Sequence, residues 1–394
     1  MSDAKIFAEG FSEDKDWRVA ASAAARAARS RLGPGPCDLA LVFAAETWKD
    51  FDPTELSAIL AKQLAPLRVL GCNASGVIGG RKEVEMLPGI TILAMRLPGV
   101  RIQPFTFTQS ELAKLDGGSA LVSALDLYPN EKPKFLVLGD PMSVDPERMT
   151  ALFNEAYPGA PVVGGMASGL LLHRPSWMLL GSQVLRQGLA GVALMGPVEI
   201  RTVVAQGCRP IGEPLIVTKS EGNVLLELGG RNPLEVLRET LSRCSPEDQR
   251  LARSSLFAGL VMNELSRGDF RRGDFVIRNL LGYDQQSGSL VLGTNLKRGQ
   301  TLQFQLRDAH TSDQDFSMLL STLPENDSEP SAALLFSCCG RGRGLYGESD
   351  HDATLVQSLR GPLPLAGFFA NGEFGPVGGR NYVHGYTSSL ALIK

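Results

Sequence analysis

Residues 367–372 read GFFANG, and the same six-residue pattern occurs twice earlier in the chain. Residues 71–76 read GCNASG and residues 164–169 read GGMASG, so all three stretches fit G-x-x-A-[SN]-G. Glycine and alanine permit close approach of a neighbouring backbone or a ligand, and glycine also adopts positive φ in turns. The recurrence of the motif therefore indicates an internal repeat.

Each copy of the motif has the same sequence context. An apolar strand-like run comes first, then a helix candidate with apolar residues at helical spacing, then a short apolar run that enters the motif. A glycine-rich hairpin and a final apolar strand follow each copy. The first runs are DLALVFAAE (38–46), KFLVLGDP (134–141) and AALLFSCCG (332–340), and the helix candidates are 53–64, 146–157 and 351–359. We predict strand–helix–strand–strand units at 38–97, 134–196 and 332–393.

These units predict the fold class. Helices that join strands favour parallel pairing with right-handed crossovers, and hairpins favour antiparallel pairing. We therefore predict an α/β (α+β) protein with mixed β-sheets and helices packed on them. Residues 254–265 and 275–284 resemble a diverged fourth unit that lacks the motif. We therefore expect a chain of two halves, each with two such units. The corresponding domains are predicted at 35–205 and 206–394.

Composition and charge exclude several classes of function. The chain has 394 residues, of which 43% are hydrophobic and 21% charged, with a formal net charge of -3. This charge balance argues against a nucleic-acid-binding surface, and no run of about 18 apolar residues indicates a membrane span. The N-terminus lacks the apolar core of a signal peptide, so we expect a cytoplasmic protein with reduced thiols.

Metal and cofactor motifs are absent from the sequence. None of the six cysteines forms a C-x-x-C pair, which argues against a zinc site. The chain also lacks a phosphate-binding G-x-x-x-x-G-K-[ST] loop and a dinucleotide-binding G-x-G-x-x-G between strand and helix. We predict neither a metal nor a cofactor.

The last unit concentrates polar residues at the ends of its predicted strands. The stretch FSCCGRGRGLYG (336–347) follows its first strand, and Asn371 and Glu373 follow its second. If these strands are parallel neighbours, their C-terminal ends meet at one edge, where ligands of α/β proteins bind. An arginine fork suits a carboxylate or phosphate. The candidate ligand-binding residues are Cys339, Arg341, Arg343, Asn371, Glu373, Arg380 and His384.

The same residues permit other interpretations. Cys339 and His384 are a candidate thiolate–imidazolium pair of a hydrolase or transferase. No third orienting group is evident, so a buried structural thiol and a hydrogen-bonded core histidine are the favoured interpretation. The GRGRG run also fits a glycine turn with solvated arginines, in a scaffold that binds no small ligand. We assign no catalytic residues and favour a protein that is not an enzyme.

Several stretches resemble the FIST domain. Its C-terminal part resembles CCGRGRGLYG, the helix that begins at His351, and PLAGFFANGEFGPVGGRNYVHGYTSS, while AQGCRPIGEPLIVTKSEGNVLLELGG and FVIRNLLGYD resemble its middle. GCNASGVIGG and GGMASG resemble its N-terminal part, so the resemblance covers roughly residues 35–393. It implies a sensory module for small ligands such as amino acids, found in bacterial signalling proteins and in a eukaryotic F-box protein.

The resemblance also implies partners. The chain resembles the stand-alone members of the family, so a separate signalling protein is expected to receive the output. An amino acid needs a cation for its carboxylate, for which Arg341 or Arg343 is suited. It also needs an acceptor for its ammonium, for which Glu373 and Asn371 are suited.

Overall fold

The computed structural model of the protein describes residues 4–264, 270–323 and 331–394. These residues form two compact units. The first unit holds the chain up to Val204, with Leu319–Val383 and Thr387–Lys394, and the second holds Ala205–Met318 and His384–Tyr386. The chain first crosses from the first unit to the second between Val204 and Ala205, one residue from the predicted domain boundary at 205/206. The two-domain division of the sequence stays a prediction.

The elements up to residue 205 follow the predicted pattern. The N-terminus forms β1 (Ile6–Ser12) and α1 (Trp17–Leu32). The first segment then forms β2 (Leu39–Ala45), α2 (Pro53–Gln63), β3 (Val69–Ala74), β4 (Gly76–Gly79), β5 (Lys82–Glu85) and β6 (Gly89–Arg96). A connection of β7 (Arg101–Phe107), α3 (Gln109–Lys114), α4 (Gly118–Leu125) and a 3-10 turn (Pro129–Glu131) follows. The second segment forms β8 (Lys134–Gly139), α5 (Pro146–Ala156), β9 (Val162–Met166), a 3-10 turn (Gly169–Leu172), β10 (Met178–Leu180), β11 (Gln183–Leu185) and β12 (Leu189–Met195), before β13 (Ile200–Ala205).

The remaining elements belong to a β-barrel region and to the third segment. The barrel region forms β14 (Cys208–Glu221), β15 (Val224–Leu228), α6 (Pro233–Ser242), α7 (Pro246–Ser255), β16 (Leu256–Val261), β17 (Phe275–Tyr283), β18 (Leu290–Leu292), β19 (Thr301–Arg307) and α8 (Ala309–Ser321). The third segment forms β20 (Ala332–Cys338), α9 (Arg343–Tyr346), α10 (His351–Arg360), β21 (Leu365–Ala370), β22 (Glu373–Val377), β23 (Arg380–His384) and β24 (Ser388–Ile393).

The three segments build three sheets of six strands each within the described residues. Their strand orders are β1-β6-β2-β3-β10-β11, β7-β12-β8-β9-β22-β23 and β13-β24-β20-β21-β4-β5. Within each segment the strands on either side of the crossover helix pair in parallel, as the sequence predicts. These mixed sheets with helices packed on them confirm the predicted fold class.

The hairpin that follows each motif leaves its own segment. The β4–β5 hairpin of the first segment completes the third sheet, β10–β11 of the second completes the first sheet, and β22–β23 of the third completes the second. We call these three the exchanged hairpins. The sequence predicts each hairpin, but nothing in it predicts the exchange.

The first glycine of each motif lies against the parallel neighbour strand. An added Cβ would lie 2.3, 1.9 and 1.8 Å from the facing carbonyl oxygen at the pairs Gly71–Val42, Gly164–Val137 and Gly367–Leu335. Real Cβ atoms do not approach an oxygen this closely, so the backbones could not pack in this way with any side chain there. The glycine of the motif therefore serves close strand packing.

One apolar core lies between the sheets of the first unit, and helices cover their other faces. Along β2 the alternate residues Leu41 and Phe43 enter this shared core, while Val42 packs towards α1 and α2. The helix candidates at 53–64 and 146–157 begin with an Asp-Pro pair, in which Asp52 or Asp145 accepts backbone N–H groups and proline takes the first helical position. Asp350 differs, since its side chain makes no cap hydrogen bond.

The second unit is built on a closed barrel of strand order β14-β15-β18-β17-β16-β19. The expected fourth unit lies here, and this expectation is wrong. Residues 256–261 and 275–283 pair antiparallel with each other, whereas the strands that flank the crossover helix in a unit pair in parallel. Within the described residues the barrel therefore does not supply the second unit that we expected in the second half of the chain.

Candidate functional site

The two strands that carry the candidate site are direct neighbours. β20 and β21 pair in parallel, with Cys338 opposite Ala370. The Cys339 N–H donates to the Ala370 carbonyl at 3.0 Å, just beyond the last pair. The loops that leave these strands therefore start from the same edge of the third sheet, as the crossover rule predicts.

Arg341 is fully buried and forms a two-point ion pair. Its Nε donates to Asp352 Oδ2 at 2.7 Å and its Nη2 donates to Asp352 Oδ1 at 3.0 Å. Nη2 also donates to the Tyr346 hydroxyl. Ser337 Oγ donates to Asp352 Oδ2 at 3.2 Å. An arginine held in this way binds a carboxylate of the protein itself, so its fork is occupied.

A histidine and a tyrosine shield this ion pair. His351 stacks on Tyr346 with ring centroids 3.5 Å apart, and its Nδ1 lies 3.1 Å from Asp352 Oδ1. Burial alone would raise the pKa of Asp352, but the Arg341 guanidinium and hydrogen bonds from His351 outweigh it and hold that pKa well below its usual range. Burial raises the pKa of Tyr346 far above its usual range, so the phenol stays neutral.

The exchanged hairpin β4–β5 adds acidic groups to this region. Glu83 is buried, and its Oε1 accepts the Ala353 N–H at 2.7 Å. Its own N–H donates to Asp350 Oδ1 at 2.6 Å. Burial, and next the Asp352 carboxylate, raise the pKa of Glu83 to about 8. Glu85 Oε1 accepts the Arg343 N–H at 2.8 Å. The first segment thus supplies carboxyl groups to a network whose arginine comes from the third.

Glu373 is a second buried acid. Its Oε2 accepts the Thr387 hydroxyl at 2.8 Å and the Thr387 N–H at 3.3 Å, while its Oε1 has no hydrogen-bond partner among the described residues. Burial raises the pKa of Glu373 to about 8, against the lowering effects of the Thr387 hydrogen bonds, the neighbouring Gly372 N–H and the Arg341 charge. At neutral pH this side chain is therefore mainly a neutral carboxylic acid.

Cys339 lies among hydroxyl groups of the other two motif copies. Its Sγ is 3.3 Å from Ser75 Oγ, and Ser168 Oγ lies 3.3 Å from the same hydroxyl. Burial raises the pKa of the Cys339 thiol to about 11, and the Ser75 and Ser168 hydroxyls offset this only in part. A thiol that stays protonated at neutral pH does not favour the hydrolase or transferase hypothesis.

The other predicted residues occupy different surroundings. Arg343 and Asn371 are exposed, and so is Arg380 in β23. His384 is buried and belongs to the second unit. Glu373 interacts electrostatically with both Cys339 and Arg341. The structure thus brings these three predicted residues together at the edge of the third sheet.

Comparison with known proteins identifies the family. Residues 38–231 match the FIST N domain and residues 233–376 match the FIST C domain. The chain belongs to the FIST family. FIST domains are generally sensory domains of signal transduction, and they are proposed to bind small ligands.

The FIST chain also has full-length relatives in mycobacteria. It is 38% identical over 385 residues to an uncharacterized protein of Mycobacterium tuberculosis (strain CDC 1551 / Oshkosh), which covers 98% of both chains. An uncharacterized protein of Mycobacterium bovis (strain ATCC BAA-935 / AF2122/97) is 37% identical over 380 residues, 96% of both. In the part of the FIST chain that the structure describes, no helix has the length and apolar character to cross a membrane.

Sequence reasoning missed several residues of this FIST site. Asp352 and Tyr346 lie within eleven positions of Arg341. A carboxylate at the start of a helix is typical of an N-cap residue, so the sequence did not indicate that Asp352 pairs with Arg341. Glu83 and Ser75 come from the first segment, which is distant in sequence. Ser75 lies in the repeated motif, but no local pattern predicts that either residue lies beside the third segment.

Proposed function

We propose that this FIST protein is a small-ligand sensor that binds an amino acid or a small carboxylate beside Glu373. The observation that carries the proposal is the buried Oε1 atom of Glu373, which has no hydrogen-bond partner among the described residues. A buried polar atom without a partner is rare in folded proteins and calls for an explanation such as a ligand.

The chemistry of Glu373 defines the ligand group. Thr387 donates two hydrogen bonds to Oε2, so the proton of the neutral acid resides on Oε1. An O–H donor in a buried place is complementary to a carboxylate oxygen, and such charge-assisted hydrogen bonds are strong. Because the Arg341 fork is occupied by Asp352, we assign the ligand's carboxylate to Glu373 and not to Arg341.

The neighbours of Glu373 offer a second contact. Asn371 is exposed and Gly372 half-buried, so the chain passes from surface to interior within three residues. The Asn371 amide offers an acceptor for an ammonium group, and Cys339 is half-buried on the neighbouring loop. Arg343, Arg380 and His384 stay predicted members of the site. A separate signalling protein remains the proposed receiver of the output.

A pH-resolved binding experiment tests this proposal. Amino acids and small carboxylates are screened by thermal shift, since a ligand at a hundredfold excess over its Kd adds about 2.7 kcal/mol of apparent stability. A ligand found in this way should bind at pH 6–7 and weaken above about pH 8, where Glu373 loses its proton.

Two variants sharpen the test. Glu373→Gln keeps a donor at the Oε1 position and should retain binding above pH 8, while Glu373→Met has no donor and should lose binding at every pH. Equal binding by Glu373→Met and the wild type would refute the site. A complete screen without any hit would favour the ligand-free scaffold.

A further inference from the structure

The first unit contains a cavity of about 390 Å³. It lies where the turn of the β4–β5 hairpin meets β1, the end of α1 and the loop before β21. Its volume falls in the range of small-molecule sites. None of the seven predicted ligand-binding residues is among its lining residues.

One part of the cavity wall is apolar and is held in place by hydrogen bonds. Phe7 and Leu363 line it together with two prolines, at 362 and 364. Gln357 Nε2 donates to the Leu363 carbonyl at 2.8 Å and to the Gly80 carbonyl at 3.2 Å, and Gln357 Oε1 accepts the Leu363 N–H at 3.1 Å. Because these bonds tie the hairpin turn to the loop, the cavity is preformed.

Three charged side chains line the same cavity. The Glu9 carboxylate lies 3.8 Å from Arg31 Nη1, which also donates to the Glu9 carbonyl at 2.8 Å. Arg81 is exposed, and its side chain makes no hydrogen bond or ion pair with the residues that the structure describes. Glu9 and Arg31 offset each other, so Arg81 leaves the lining with one uncompensated positive charge.

We propose that this cavity is a second binding site, for a small monocarboxylate with an apolar body. The carboxylate pairs with the Arg81 fork, and the apolar body covers Phe7, Leu363 and the prolines. An α-amino acid fits less well, because its ammonium would lie among two guanidinium groups and Glu9 already has Arg31 as its counterion.

Isothermal titration with hexanoate tests the site. Hexanoate should bind the wild-type protein, while its uncharged analogue hexanamide and the short acid acetate should bind at least about tenfold more weakly. Leucine, which adds an ammonium to a similar body, should also bind more weakly than hexanoate.

Variants locate the binding. Arg81→Ala and Arg81→Gln should each weaken hexanoate binding by about tenfold or more, the effect of losing one charge-assisted contact. Arg26→Ala is the control, because it removes an exposed arginine on α1 that does not line the cavity, and it should leave the affinity for hexanoate unchanged. Both Arg81 variants should keep the wild-type melting temperature, since the side chain makes no bond within the described part of the protein.

The outcome is separable from that of the Glu373 site. Glu373→Met should leave hexanoate binding to the cavity intact. Three results would each overturn the cavity proposal: no hexanoate binding to the wild type at millimolar concentration, an affinity in both Arg81 variants equal to that of the protein with Arg81, or loss of binding in Glu373→Met. Because hexanoate is itself a small carboxylate and could also bind beside Glu373, the Arg81 substitutions are compared in the Glu373→Met background, where only the cavity site is left.

Discussion

Asp352 and Arg341 form a two-point ion pair in which both side chains are almost completely shielded from solvent. Two charges leave water at considerable cost, so the pair is stable only while each side chain keeps its partner. Arg341 therefore stabilises the edge of the third sheet, and its guanidinium binds Asp352 and not a ligand.

Asp352→Asn should destabilise the protein by about 3–5 kcal/mol, because the Arg341 charge stays buried without its counterion. Urea unfolding measures this loss. Glu348→Gln, at an exposed acid nearby, is the matched control and should change the free energy of unfolding little. The double variant Arg341→Met, Asp352→Leu should recover part of the loss, since it buries no charge. A single-variant loss below about 1 kcal/mol would contradict the buried pair.

Glu373 should make stability fall as pH rises. Its pKa is about 8 in the folded state and 4.5 in the unfolded chain. Between these values the folded state holds one more proton, so the free energy of unfolding decreases by up to about 1.4 kcal/mol per pH unit. This contribution is fully present below pH 4.5 and lost above pH 8.

Urea unfolding at pH 5, 6, 7 and 8 should show a smaller slope in Glu373→Gln than in the wild type. Glu83, with a pKa of about 8, adds a slope of the same sign to both proteins. Identical slopes in variant and wild type would show that Glu373 is ionised throughout.

Gly367→Ala should be severely destabilising. The new Cβ would lie 1.8 Å from the Leu335 carbonyl oxygen, so the parallel strands β20 and β21 must separate. Overpacking of this kind costs about 1–3 kcal/mol or more. Gly344→Ala is the control, because nothing lies within 4 Å of its added Cβ. Thermal unfolding of both variants is the measurement, and equal melting temperatures would refute the close approach.

Cys339 should react slowly with iodoacetamide at pH 7. Its pKa of about 11 leaves little thiolate, and the thiolate is the reactive form. A Cys338→Ser variant isolates the residue, and mass spectrometry of the peptide follows its alkylation from pH 7 to pH 10. The rate should rise throughout this range. Fast modification at pH 7 would revive the thiol-dependent enzyme hypothesis.

Local sequence signals were sufficient for much of the fold. Asp52 and Asp145 each precede a proline, so the starts of α2 and α5 are readable from neighbouring residues alone. The crossover rule also predicts that β20 and β21 are parallel, which places the loops of Cys339 and Asn371 at one edge.

The site itself depends on contacts that no local signal encodes. Arg341 looks like a solvated arginine in a glycine-rich turn, yet it is buried because Asp352 returns from the next helix to neutralise it. Glu83 reaches this region from a segment far away in sequence. The raised pKa of Glu373 follows from complete burial, which depends on the packing of the second and third sheets.

The exchanged hairpins also determine when each sheet can be completed during synthesis. The β4–β5 hairpin leaves the ribosome early, while β21, its partner strand, lies near the end of the chain. At ~5–20 residues per second, roughly tens of seconds separate the two. Throughout that interval β4 has no partner on the side that β21 later covers, and such open edges pair readily with other chains. A chain truncated before Leu365 would therefore expose a strand edge near its opposite terminus.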